Sequence, residues 1–153
     1  MKDKLLSKQG WVILLICIIS FFINNRVVVP DIMEARNMVT AREMVHDGNW
    51  LVPTMNGDLR LEKPPLPTWL TAVAEMISPD NLALQRAMAG FAAILLVAFF
   101  YLTAVQVMRN KRYAFISTIL LCTCYNIILM GRTASWDIYC HAFMMGAIYF
   151  LIR

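Results

Sequence analysis

From Ala87 to Met108 the chain runs without one charged side chain, and Trp11 to Ile23, Tyr113 to Met130 and Ile138 to Ile152 repeat the pattern. At about 1.5 Å of rise per residue, the longer of these runs match a hydrocarbon layer of roughly 30 Å. Hydrophobic residues make up 59% of the 153 positions and charged residues 16%. Apolar character gathered into runs of this length does not suit the core of a small soluble domain. The expected fold class is therefore all-α and integral to a membrane.

The positions of the charges then give an orientation. Lys2, Lys4 and Lys8 precede the first run, Arg109, Lys111 and Arg112 separate the second from the third, and Arg153 follows the last. Such clusters mark cytoplasmic ends. The formal charge of +4 does not indicate nucleic acid, because the basic residues flank apolar segments instead of alternating with aromatics on a polar surface. Trp11 to Ile23 is short for a span and resembles a signal peptide in that respect. Asn24-Asn25-Arg26 and the bulky Val27 to Val29 follow it, however, with no small-x-small cleavage pattern, so an uncleaved anchor with a cytoplasmic N-terminus is expected. Cys17, Cys122, Cys124 and Cys140 all lie in apolar stretches, which predicts buried thiols and no disulfide framework.

Between the first two runs lies a polar interval, about residues 24–86, that holds most of the ten acidic residues. Pro30-Asp31 predicts a helix start, with Asp31 as N-cap and Glu34 completing a capping box, and Asp47-Gly48 predicts its stop. Ile32, Ala35, Met38 and Val39 form one apolar side, as in a helix lying on a membrane. Asn56-Gly57 between two short extended stretches predicts a type I′ hairpin. Glu62-Lys63-Pro64-Pro65-Leu66 follows. Proline restricts its own φ and the backbone of the residue before it, so this segment holds a carboxylate and an ammonium on a stiff hinge. Leu66, Trp69, Leu70, Val73, Met76 and Ile77 then recur at helical spacing.

Were Leu66 to Ile77 a span, the basic cluster at Arg109 would emerge on the outer side, against the positive-inside rule. An interfacial helix is therefore expected there. Four spans result, about 10–25, 87–108, 113–130 and 138–152, with extracytoplasmic loops about 26–86 and 131–137, all in one domain. Loop one offers Asp31, Glu34, Glu62 and Lys63, and loop two offers Arg132 and Asp137. Carboxylates on that face can take a proton from a hydroxyl or hold a divalent cation, while Lys63, Arg86 and Arg132 can hold a phosphate.

Glu34-Ala35-Arg36, Ala41-Arg42-Glu43-Met44, Gly48-x-Trp50-Leu51-x-Pro53, Asn56-Gly57 and Glu62-Lys63-Pro64-Pro65-Leu66-x-x-Trp69-Leu70 stand in this order. Together they resemble the first extracytoplasmic loop of GT-C membrane glycosyltransferases, in the bacterial branch related to protein O-mannosyltransferases and to the aminoarabinose transferase that modifies lipid A. Arg132 to Asp137 resembles the second acidic loop of that family. The resemblance covers essentially the whole chain and identifies it as an N-terminal portion, with further spans and a soluble domain expected after Arg153. It implies inverting transfer of a hexose or pentose from a polyprenyl-phosphate donor to a lipid or protein acceptor, on the periplasmic or outer side of a bacterial inner membrane. The catalytic carboxylate would be Asp137, Asp31 or Glu34, with Lys63, Arg86 and Arg132 binding substrate. An acceptor that is itself an ionised phosphate would need no base. In the aminoarabinose branch the glutamate matching Glu62 helps bind zinc with a histidine far downstream, beyond this chain. The family usually opens this loop with two adjacent acids, and here Met33 stands where the first would be, with Asp31 two residues earlier.

Each residue also has a structural reading. Asp31 and Glu34 fit a capping box, Glu62 and Lys63 an exposed ion pair, Asp137 a helix cap, and Arg132 and Arg86 interfacial anchors, Arg86 snorkelling at the head of the second span. His46 reads as a helix-end residue, and Cys140 and His141 as core. Two other function classes compete with the enzyme: an inert membrane subunit or truncated relic, and a transporter. The transporter is disfavoured because the ionisable residues lie in loops and not at mid-membrane.

Overall fold

A computed structural model describes residues 8–153; Lys2 and Lys4, expected to anchor the N-terminus, lie outside the described residues. Its elements in chain order are α1 (Lys8–Phe22), α2 (Ile32–Asp47), β1 (Thr54–Met55), β2 (Asp58–Leu59), α3 (Pro65–Ile77), α4 (Leu82–Met108), α5 (Lys111–Cys122), α6 (Tyr125–Gly131) and α7 (Asp137–Ile152). The all-helical expectation holds apart from one two-residue ladder. Among the described helices α4, with 27 residues, is long and apolar enough to cross a bilayer alone. Helices α1 and α7 are apolar but shorter, at 15 and 16 residues.

The expected span 113–130 is a broken rod, α5 and α6 meeting at 64°. Thr123, at the break, turns its hydroxyl back onto the carbonyls of Ile119 and Leu120, and Cys124 is extended. Back-bonding of this kind competes with the helical ladder and bends helices. Helix α4 begins earlier than the run 87–108 suggests, because the Asn81 side chain accepts from the Leu84 amide and caps an additional turn. That turn carries Gln85 and Arg86, both buried.

Helix α4 is the central element, packed on α7, α5, α3, α1 and α6. Small residues allow the close approach: Ala89, Ala92 and Ala93 face Ile13, Cys17 and Phe21 of α1, Cys122 of α5, and Ile138, Tyr139 and Ala142 of α7. A Cβ on Gly131 would stand 2.7 Å from Phe21 Cδ1 and 2.9 Å from Ala93 Cβ, so the end of α6 reaches α1 and α4 only as glycine. The expectation of buried thiols holds for Cys17 and Cys122, whose Sγ atoms lie 3.8 Å apart, while Cys124, at the break, and Cys140, on α7, are exposed.

The segment from Asp31 to Asp80 packs on α4 through α3, and α3 carries an inverted polarity. Helix α2 buries Glu34, Asn37, Thr40, Ala41 and Met44 and leaves Ile32 outside; α3 buries Thr68, Thr71 and Glu75 and exposes Val73, Met76 and Ile77. Polar groups of the two helices meet inside through Asn37 on Thr68 and Thr71, while the buried Glu75 meets the exposed Arg42 at the edge. The outward apolar residues of α3 are what a helix at a lipid surface requires, whereas α2 turns Arg36, Arg42, His46 and Asp47 outward beside Ile32. A small apolar cluster of Ala41, Met44 and Ala72, flanked by Trp50 and Trp69, completes the contact, with the Trp69 indole donating to the Trp50 carbonyl at 2.8 Å.

Candidate functional site

The hairpin has the expected turn. Thr54 pairs with Leu59 and Met55 with Asp58, and Asn56 and Gly57 take φ of 57° and 82°, as type I′ geometry demands. Glu43, one helix away, holds the turn: its carboxylate accepts from the Thr54 hydroxyl at 2.7 Å and from the amides of Asn56 and Gly57. Bonds to an ionised acceptor are among the stronger ones. Glu43→Ala is expected to weaken the hairpin by about 1.5–3 kcal/mol. Faster amide exchange at Asn56 and Gly57 would show it, with the α4 amides unchanged.

Beyond the hairpin, Arg60 turns inward and is only 6% exposed. Its Nη1 donates to the Arg36 carbonyl at 2.6 Å and the Thr40 hydroxyl at 2.8 Å, and its Cζ lies 5.2 Å from the ring centre of Trp136. Burial pushes the Arg60 guanidinium below its ordinary value; the Glu62 charge opposes that shift and Arg36 adds to it. Lys63 Nζ stands 5.6 Å from the same indole. Two cations from loop one thus share one tryptophan of loop two, within the range of cation–π attraction. Between the hairpin and α2 lies a cavity of about 180 Å³, whose polar lining is Arg36, Arg60, Asn56, Asp58 and Glu62.

The other residues singled out in the sequence have distinct fates. Asp31 caps α2 through Oδ1, which accepts from the Glu34 amide at 2.7 Å, and is otherwise exposed. The reciprocal half of the capping box is not made, because Glu34 turns away from the helix start. Glu34 and Arg86 are both 0% exposed. Arg86 Nε and Nη2 each donate at 2.7 Å to the two oxygens of Glu34, Arg86 Nη1 donates to the Asn25 carbonyl, and the Ala134 amide adds a third bond to Glu34 at 2.9 Å. Arg86 therefore does not snorkel: a partner inside the protein holds it there. Arg132 is half-buried, its Nη2 donating to the Ile23 carbonyl while Nε has no protein partner. Asp137 opens α7 and is exposed, its side chain making no hydrogen bond or ion pair among the described residues, while its carbonyl meets the His141 ring at 2.7 Å. His46 is exposed at the end of α2 beside Asp47.

The fold brings Arg60 and Lys63 of loop one to Trp136 of loop two, the residue before Asp137. It separates them from Glu34 and Arg86, which lie beneath. Arg36, Arg60, Asn37, Glu43 and Trp136 are structurally central yet carried no role in the sequence reading. Arg36 and Glu43 lie within the family motifs; nothing local distinguishes Arg60 from a solvated strand residue. Among the described residues no three histidine, cysteine or acidic groups converge. Glu62 shares its cavity with the carboxylate of Asp58 and the guanidiniums of Arg36 and Arg60.

Residues 10–153 match the family described as dolichyl-phosphate-mannose-protein mannosyltransferase. An undecaprenyl phosphate-alpha-4-amino-4-deoxy-L-arabinose arabinosyl transferase of Pseudomonas savastanoi is 34% identical over 60% of this chain and 17% of its own length. That of Shewanella sediminis is 31% identical over 71% of this chain and 19% of its own. The crystal structure of ArnT from Cupriavidus metallidurans bound to undecaprenyl phosphate superposes with a TM-score of 0.81 at 19% identity, over 95% of this chain and 27% of that one. The chain thus spans about a fifth of the curated relatives and about a quarter of the solved structure. Motif order, helical architecture and the match over nearly its whole length place this chain in the dolichyl-phosphate-mannose-protein mannosyltransferase family of GT-C membrane glycosyltransferases.

Proposed function

We propose that this chain forms the donor-phosphate side of a site that moves a sugar from a polyprenyl phosphate to an acceptor at the extracytoplasmic face of a bacterial inner membrane. The observation that carries this reading is the meeting of Lys63 and Arg60 on Trp136, next to the unengaged carboxylate of Asp137. Relatives named for an undecaprenyl-phosphate sugar supply the donor class. The membrane reading keeps four crossings, with α5 and α6 together making one.

In the proposed reaction an acceptor oxygen attacks the anomeric carbon from the face opposite the phosphate. The bond from that carbon to the phosphate oxygen breaks, its electron pair leaves with the polyprenyl phosphate, and configuration inverts. Lys63 stabilises the charge gathering on that phosphate. Asp137 takes the proton of a hydroxyl acceptor. Glu34, fully buried and paired with Arg86, and Asp31, which caps α2, are read as structural. Arg86, enclosed with Glu34, makes no substrate contact.

The test is retention of undecaprenyl phosphate by the purified chain in nanodiscs, with undecaprenol as the uncharged control. Saturable retention of the phosphate alone, lost in Lys63→Ala, is the expected result. Equal retention of both lipids would remove the basis for a phosphate site.

A further inference from the structure

The proposed site draws its parts from two loops more than sixty residues apart, and something must hold them in register. Ala134 stands two residues before Trp136 and three before Asp137. Both of its backbone polar groups are taken by α2: its amide donates to Glu34 Oε1 at 2.9 Å, and its carbonyl accepts from Asn37 Nδ2 at 2.7 Å. Glu34 and Asn37 are three residues apart and so share a helix face. They read the loop much as a neighbouring strand would. Asn37 also meets the helix that follows the proline hinge, accepting from the Thr68 hydroxyl at 2.8 Å and donating to Thr71 Oγ1 at 3.0 Å. Arg86 fixes the Glu34 carboxylate with two parallel bonds, which leaves it one orientation. All of Glu34, Asn37, Thr71 and Arg86 are fully buried.

We infer that Glu34 and Asn37, with Arg86 behind them, are positioning residues: they clamp Ala134 and thereby set Trp136 and Asp137 of loop two against Lys63 of loop one. Sugar transfer enters only as the use made of this register, so the inference rests on the proposed function for its purpose and not for its geometry. A pair serving stability alone would need neither a bond to each backbone polar group of one loop residue nor the link from Asn37 to the helix behind Lys63.

The chain labelled with 5-fluorotryptophan, in lipid nanodiscs, gives fluorine resonances for its four tryptophans, that of Trp136 being the one lost in Trp136→Phe. Lys63→Ala should shift the Trp136 resonance, because an ammonium is withdrawn from the ring. Asn37→Asp keeps the shape of the side chain and removes its donors to Ala134 and Thr71. In that background the Lys63→Ala shift should fall at least threefold, while the Trp69 resonance stays in place. Glu34→Gln, which sets an amide nitrogen against Arg86 Nη2 and so removes one of the two parallel bonds that fix the side chain, should also reduce the shift and stands in if the first variant does not fold. An undiminished Lys63→Ala shift in either folded variant overturns the clamp, as does the absence of any shift in the parent chain. These spectra involve no polyprenyl lipid; failure to retain undecaprenyl phosphate would leave them untouched and would count only against the proposed function.

Discussion

Glu34→Ala is expected to destabilise the chain by about 3–5 kcal/mol, because it leaves the Arg86 guanidinium buried without its counter-charge. The size of this effect follows from enclosure. An exposed pair is worth less than about 1 kcal/mol, since water solvates each partner when the other is removed. Here neither side chain reaches solvent, and all three oxygens that receive Arg86, two from Glu34 and one from Asn25, belong to the protein. Replacing both partners with apolar residues, Glu34→Leu with Arg86→Met, should recover much of the loss, as substitution of whole buried pairs elsewhere does. Recovery should stay incomplete by about 1–3 kcal/mol, the cost of leaving the Ala134 amide without an acceptor. Thermal unfolding in detergent checks both statements. Asp31→Ala, which removes only a helix cap, serves as the scale at about 1 kcal/mol; a Glu34→Ala loss no larger than that would contradict the enclosed ion pair.

Lys63→Ala is expected to lower sugar transfer by roughly 10²–10³, wherever the chain works with the remainder of an enzyme of this family. Removing a preorganised charge from a leaving phosphate raises the barrier most where the charge is held in place. Two features hold it: Pro64 and Pro65 restrict the backbone beside Lys63, and Trp136 receives the ammonium on its ring. Lys63→Arg keeps the charge but changes its reach and geometry, so it should recover only part of the activity. The loss should appear in kcat as well as in donor affinity, because charge on the phosphate grows as its bond to the sugar breaks. A Lys63→Ala enzyme with unchanged kcat would move the catalytic charge elsewhere, with Arg60, the other cation on Trp136, the first candidate.

Much of this was legible in order along the chain. The start and stop of α2 at Asp31 and Gly48, the turn at Asn56-Gly57 and the helix after the proline hinge are local decisions. Each depends on the φ preference or hydrogen-bonding capacity of one or two residues. The family resemblance was equally readable, because it rests on motifs in sequence order. The break between α5 and α6 was not, since hydropathy alone sees an apolar run and not the backbone bonds of Thr123.

The sequence by itself determined the class of the protein, most of its helix-forming segments and its proline hinge. All of these follow from patterns whose period or spacing is a few residues. Only the tertiary structure decided which charges are interior supports and which remain available for chemistry. Glu34 and Asp31 read alike as first-turn carboxylates, yet Glu34 lies under Arg86 and Ala134 while Asp31 faces outward. Arg60 and Arg86 read as a strand residue and an interfacial anchor and prove to be buried. The physical reason is that burying a charge depends on a partner 52 or 100 positions away, and no local pattern encodes whether that partner will arrive.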